Sequence, residues 1–266
     1  RRYSSAASDV YKRQVPTGPR SEVFTTVLVN ESGKVADWPA HRQRLTDHAH
    51  RLRLALPDSD PEVRASSTTA WSLARISYDG KVWAVTGRAL GVRNDDIDAV
   101  SVAAPRWNER TNGTKHGDWE AYKRAKQAAE AAGCDAALLV HEFAIVDGDR
   151  ATPLVLDEDG TVWMAPDEAG GVDGVVARRL ERLLPGAGLP VVKGQLNERT
   201  VARCAELVLV GTGMGVCRVS TLDGTTLGTS RALSTACRSL LSEHFTQEAT
   251  WSTVGSHDVA ARDGHR

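Results

Sequence analysis

The sequence predicts a mixed α/β protein built as two lobes, and three observations lead there. Its 266 residues suffice for one large core or two modest ones. Strand-like segments crowd residues 22–104, whereas helix-like and strand-like segments alternate beyond residue 114. Between the two regions Arg106 to Gly113 is polar and closes on Asn112-Gly113, the composition of a linker. The expected division is 15–107 for a small first lobe, 108–113 for the linker and 114–247 for a larger second lobe.

Glu22 to Val29 is rich in β-branched and aromatic residues and reads as a strand. Glu31-Ser32-Gly33-Lys34 is a turn, and Val35 to Trp38 a short partner strand. His41 to Leu54 carries Leu45, Ala49 and Leu52 at helical spacing. Pro57 and Pro61 break that helix, and a second is expected over Glu62 to Tyr78. Strands are expected around Lys81–Leu90 and Ala99–Ala104. In the second lobe an Ala-rich helix over Trp119–Ala132 stops at Gly133 and leads into a buried strand, Ala136–Val140. Strands follow at Pro153–Leu156 and Thr161–Ala165, joined by a tight turn at Asp157-Glu158-Asp159-Gly160. Then come a helix from Val175 to Leu184, a strand near Val191, a helix around Glu198–Cys204 and strands at Leu207–Val210 and Val216–Ser220. Arg231–His244 closes the lobe as a helix.

Composition removes several function classes. Thirty-three basic residues against thirty-four acidic ones give a net charge of -1, which offers no electrostatic footprint for nucleic acid. No window approaches the roughly 18–20 apolar residues of a membrane span. Cys134, Cys204, Cys217 and Cys237 are scattered in apolar contexts without paired spacing, which fits small buried side chains in a reducing cytoplasm. His48 and His50 are two apart on a helix and point to different faces, the acidic loops lack calcium-binding spacing, and no metal is expected. Residues 1–14 have no apolar stretch like that of a signal peptide and read as adapter-derived rather than native sequence. Residues 248–266 are Ser-, Gly- and charge-rich and are expected to be disordered.

Four segments carry chemistry. Thr114-Lys115-His116-Gly117-Asp118-Trp119 places a lysine just ahead of a helix, where free N–H dipoles make a cation unusual. His41-Arg42-Gln43-Arg44-Leu45 follows Phe24-Thr25-Thr26 by one hairpin, and arginine pairs bidentately with phosphate oxygens. Gly170-Gly171-Val172-Asp173-Gly174 precedes a helix whose free amides and dipole form a general anion site. Gly211-Thr212-Gly213 ends a strand. It fails as a dinucleotide fingerprint, because Val216 stands where the last glycine belongs and a strand follows.

In this order, from Phe24 to Gly224, the four segments resemble the fold-type IV pyridoxal-phosphate (PLP) enzymes, the class IV aminotransferase family. Within that superfamily they look most like the 4-amino-4-deoxychorismate lyases, in which Lys-His opens the corresponding segment. The resemblance implies two α/β lobes with PLP in the cleft between them. It implies that Lys115 is joined to the cofactor aldehyde and later removes the proton from the amine-bearing carbon, with Thr26 or Thr25 as a proton relay. It also implies that Arg44 and Thr212 grip the phosphate by side chain and Val172 and Asp173 by backbone, with Gly211 and Gly213 shaping the second phosphate turn. One departure stands out: ungapped counting from Lys115 puts Gly148 where the family has a glutamate on the pyridine nitrogen, and Pro153 where it has an asparagine. Asp147 or Asp149 could substitute. The expected activity is conversion of 4-amino-4-deoxychorismate to 4-aminobenzoate and pyruvate for folate synthesis, by a homodimer acting on a small amino substrate. The alternatives are a class IV aminotransferase of branched-chain or D-amino acids, and a catalytically weak homologue lacking the glutamate.

Overall fold

The structure, a computed structural model, describes residues 18–64, 71–91 and 96–255. The adapter-like residues 1–14 and the last eleven residues of the chain lie outside that range. A five-stranded sheet is begun by β1 (Val23–Asn30) and β2 (Val35–Ala36), followed by helix α1 (Trp38–Leu52), β3 (Trp71–Tyr78) and β4 (Trp83–Ala89). The chain then enters a ten-stranded sheet with β5 (Ile97–Ala103), helix α2 (Glu120–Ala131), β6 (Ala136–His141), β7 (Ala144–Gly148), β8 (Thr152–Leu156) and β9 (Val162–Met164). Helix α3 (Val175–Leu183), β10 (Val191–Lys193), β11 (Leu196–Asn197), α4 (Glu198–Ala202), β12 (Glu206–Gly211), β13 (Gly215–Leu222) and β14 (Thr225–Thr226) continue it. Helix α5 (Ala232–Thr246) then carries the chain back to β15 (Trp251–Ser252).

The smaller sheet has the order β15-β2-β1-β3-β4, and the larger runs β10-β9-β8-β12-β13-β5-β6-β7-β11 with β14 on β13. In the smaller sheet Val27, Val29, Ala74 and Ile76 pack against Leu45, Ala49 and Leu52 of α1. Those three helix positions are the periodic ones expected from the sequence. Helix α2 stops at Gly133, whose φ of +73° suits glycine, and Cys134 N–H closes the end on Ala129 O at 2.8 Å. In the larger sheet, Leu154, Val208 and Val216 pack against Leu180 of α3 and Leu233 and Cys237 of α5. Asp37, at the start of α1, ties the two parts together. Its carboxylate meets His244 of α5 at 3.0 Å and Arg179 of α3 at 2.6 Å.

Four expectations need correction. The helix expected over Glu62–Tyr78 is strand β3 where it is described from Trp71, and residues 65–70 lie outside the described range. β3 is central, with α1 under one face and the cleft over the other, so seven of its eight positions are at least half-buried and period-2 alternation is lost. β7 was not foreseen, because it is short and reached by the tight turn Glu142-Phe143 from β6. β5, grouped with the first lobe by position in sequence, pairs with β13 and β6 in the larger sheet. Within the tail, Trp251–Ser252 is ordered as a strand on β2. Among the described residues no helix is long and apolar enough to cross a membrane.

Candidate active site

The Lys115 segment docks on the end of β1. Phe24 N–H donates to Lys115 O at 3.2 Å, and Val23 bridges to His116 in antiparallel fashion. This approach favours glycine two residues on, because a Cβ on Gly117 would lie 2.8 Å from the backbone carbonyl of Gly18 as well as against Ser21 Oγ. The side chain of Lys115 then enters a cavity of about 990 Å3 between the two sheets. Its Nζ lies 5.1 Å from the ring centre of Phe24 and 4.8 Å from that of Trp119. Burial foremost, then the charge of Arg44, pulls the amine down to about 7, with Asp147 opposing and Arg75 adding a little. A lysine in this state is a usable base at neutral pH.

Arg44 projects from α1 between Thr25 and the start of α3. Its Nη2 donates to Thr25 Oγ1 at 2.6 Å and its Nη1 to Asp173 O at 3.0 Å, while its Nε has no partner among the described residues. Burial lowers the guanidinium to about 10. Thr25 is therefore engaged below the sheet, bonding also to His41 Nδ1 at 2.8 Å, whereas Thr26 lines the cavity. Helix α3 begins at Val175 without a side-chain cap, so Gly174, Val175 and Val176 present its uncapped start to the cavity. Gly211, Thr212 and Gly213, the tip of the β12–β13 hairpin, line the same cavity.

The expected backbone contacts at Val172 and Asp173 shift. Val172 N–H is consumed by Asp147 Oδ2 at 2.9 Å, and Asp173 turns away, with its carbonyl on Arg44 and its carboxylate paired with Arg178. The uncapped amides at the start of α3, from Val175 onward, lie beyond them.

Asp147, one residue before Gly148 on β7, faces the cavity. The β6–β7 register shifts between Leu139 and Val140. Asp147 is buried, lines the cavity and accepts from Tyr122 Oη at 3.0 Å, from Val172 N–H and from Gly148 N–H at 2.9 Å. Burial pushes its carboxyl up to about 6 against these three donors and Lys115. Gly148 has no room for a side chain: a Cβ there would lie 2.5 Å from Ala151 O. Asp149 also lines the cavity, with both carboxylate oxygens buried and without a hydrogen bond among the described residues. Arg150 Nη1 lies 3.7 Å from it. Tyr122 stacks on Trp119 at 3.9 Å and 7°, one helical turn apart, so the aromatic wall beside Lys115 and the donor to Asp147 are one unit. Sequence reasoning missed Tyr122, although its place one turn after Trp119 on the helix that Lys115 precedes was a usable signal. Among the described residues no cluster suited to a metal occurs.

The chain's fold is shared with solved structures of low sequence identity. A branched-chain aminotransferase from Thermoproteus uzoniensis, solved with norvaline, superposes with a TM-score of 0.76 at 16% identity, over 88% of this chain and 90% of that one. A hypothetical aminotransferase from Mycobacterium tuberculosis in its PLP-bound form gives 0.73 at 19% identity, over 85% and 89%. A Legionella pneumophila protein provisionally assigned as a 4-amino-4-deoxychorismate lyase gives 0.72 at 17%, over 84% and 91%. No curated protein sequence matches the chain. The family described as amino-transferase class IV matches residues 22–222, about three-quarters of the chain. With that match spanning the Lys115 segment, Arg44, the start of α3 and the Thr212 turn, the chain belongs to the class IV aminotransferases.

Proposed function

We propose that this chain is a PLP-dependent 4-amino-4-deoxychorismate lyase, releasing 4-aminobenzoate and pyruvate. The observation that carries the PLP reading is Lys115, a half-buried amine lowered to about 7 in the same cavity as an anion cradle and a buried carboxylate. The donor set fits the cofactor. Arg44, with its unpartnered Nε, the free amides opening α3 and the Thr212 turn suit a phosphate. Asp147, held by Tyr122 and two amides, suits a pyridine nitrogen. When bound, PLP supplies an aldehyde that captures amines and a ring that withdraws electrons from the amine-bearing carbon.

The chain's residues do the rest. Lys115 Nζ takes the proton from the amine-bearing carbon; the bond from the substrate ring to the enolpyruvyl oxygen then breaks as that ring aromatises, and a proton delivered to the enolpyruvyl methylene carbon completes pyruvate. Thr26, on the cavity face of β1, is the candidate relay. Phe24 and Trp119 cover the amine with aromatic faces and limit water around it. The lyase assignment is supported by the Lys115-His116 pairing. The fold likeness to a provisional lyase supports it only at the level of architecture.

A class IV aminotransferase is the second reading, favoured by Asp147. That carboxylate offers a ring-nitrogen partner on which transamination depends, and it speaks against reading the chain as a weak homologue. The reading carries with it a homodimer, for which light scattering is the test. Function is tested by a coupled assay for pyruvate release from 4-amino-4-deoxychorismate, run beside a panel of amino acids and keto acids. Pyruvate from the former without transamination of the panel supports the lyase; efficient transamination without it establishes the second reading. Borohydride should fix PLP to the peptide containing Lys115, and a colourless, unlabelled protein would refute both.

A further inference from the structure

Strand β1 turns Val23, Thr25, Val27 and Val29 toward α1, and Thr25 is the one hydroxyl in that otherwise apolar row. It is fully buried, so its hydrogen and its lone pairs must find partners there. Two residues one turn apart on α1 supply them: His41 Nδ1 at 2.8 Å and Arg44 Nη2 at 2.6 Å.

Counting hydrogens fixes the direction of both contacts. A guanidinium only donates, so Thr25 Oγ1 accepts from Arg44. The hydroxyl hydrogen then goes to His41, whose Nδ1 accepts it and carries no proton. Were Nδ1 protonated, the hydroxyl would face two donors and its own hydrogen would lose its acceptor. Burial foremost, then the charges of Arg44 and Lys115, holds the imidazole well below its ordinary value, in agreement with that tautomer. With Nη1 on the Asp173 carbonyl at 3.0 Å, the guanidinium is pinned from β1 and from the turn before α3. Its Nε is buried, lies in the same fixed plane and has no partner among the described residues. Of the three side chains only Arg44 lines the cavity.

We propose that His41 is a positioning residue: through the Thr25 hydroxyl it fixes the plane in which Arg44 presents its remaining N–H groups to a phosphate in the cavity. An arginine already held by two acceptors loses little freedom on meeting a dianion, whereas a loose one must first be ordered. His41 thereby sets how much the phosphate contributes to cofactor retention without touching it. This deepens the reading of the cavity as a PLP site and rests on it.

The test titrates the full-length protein, by absorbance, with PLP and separately with pyridoxal, which carries the same aldehyde and no phosphate. The ratio of the two dissociation constants isolates the phosphate contact. His41→Phe should reduce the wild-type preference for PLP about tenfold, the scale of one hydrogen bond to a charged group, and leave pyridoxal affinity unchanged. His41→Asn, whose side-chain oxygen can take the Thr25 hydrogen, should restore most of it. Thr25→Val is nearly isosteric and should match His41→Phe, which keeps the test decisive if the Phe variant does not fold. In Arg44→Ala protein, adding His41→Phe should change the preference no further, because the group it acts through is gone. A merely structural histidine would weaken both ligands alike or add its effect to that of Arg44→Ala, and either result overturns the proposal. An unchanged preference in both His41→Phe and Thr25→Val does the same while leaving the cofactor reading intact. Wild type that takes up neither aldehyde refutes the cofactor reading itself, and the proposal with it.

Discussion

The backbone N–H of Lys115 donates to Nδ1 of His48 at 3.1 Å, linking α1 to the segment from which the amine projects. Nδ1 can accept only when it carries no proton, and burial foremost, then Arg44 and Arg51, holds the imidazole well below its ordinary value. His48, set aside as a metal ligand, thus acts through the backbone of Lys115 as a positioning residue. His48→Phe should leave that N–H unpaired at a cost of about 1–3 kcal/mol and lower kcat more than it raises KM. His48→Asn, with a side-chain oxygen near the place of Nδ1, should recover most of the loss. An unchanged kcat in the Phe variant would make the contact incidental.

Stability should follow pH through two buried groups of opposite sense. Lys115 is lowered to about 7 in the folded chain, so above that value and up to its ordinary range the unfolded chain binds the extra proton. Folding is therefore favoured as pH rises across that window. Asp147 is raised to about 6, so between the usual carboxylate range and that value the folded chain binds the extra proton, and stability falls as pH rises. Denaturant titrations of cofactor-free protein should show Lys115→Met gaining most over wild type near pH 7 and losing that gain by pH 10. Asp147→Asn should show its largest relative gain above pH 6. Differences from wild type that do not vary with pH would contradict both assignments.

Arg44→Ala should weaken PLP binding by about 1.5–3 kcal/mol if the guanidinium makes a charge-assisted contact to phosphate. Because Arg44 also bonds Thr25 and the Asp173 carbonyl, melting temperature should be measured alongside. A stability loss with unchanged PLP affinity would make Arg44 a strut between α1 and α3 only.

Gly148→Glu should not add a carboxylate to the cavity. The new Cβ meets the Ala151 carbonyl, so the variant should lose about 1–3 kcal/mol or more and gain no transaminase activity. Asp147→Asn, by contrast, should keep the fold and shift the absorption of bound PLP. An unaltered spectrum in that variant would turn attention to Asp149, whose oxygens are buried and without hydrogen bonds among the described residues.

Much of this architecture was readable where local and global signals agree. Leu45, Ala49 and Leu52 reach the core from the face their spacing dictates, and Gly133 ends α2 where its conformation is needed. Legibility failed where neighbours in space override the local pattern. β3 is covered on both faces, and its partners are strands that sequence distance does not reveal. At the cavity, Lys115, Arg44 and Thr212 stand out as residue types in motifs. Tyr122 did not, because only a helical turn after Trp119 places it, and Asp147 entered only as a substitute beside Asp149. Val172 shows the reverse error: its amide has the right neighbourhood but is already taken by Asp147.

Trp251–Ser252 completes on β2 a sheet that includes β1 from Val23, so strands made earlier are finished by residues made more than two hundred positions later. During synthesis the β2 edge stays open until α5 has left the ribosome and swung back across the molecule. Such distant pairing is slow to form, and an exposed edge invites pairing with other chains. The nascent chain is therefore vulnerable at the β2 edge throughout that interval. Production should respond to chaperone supply and growth temperature more strongly than the stability of the finished protein would suggest.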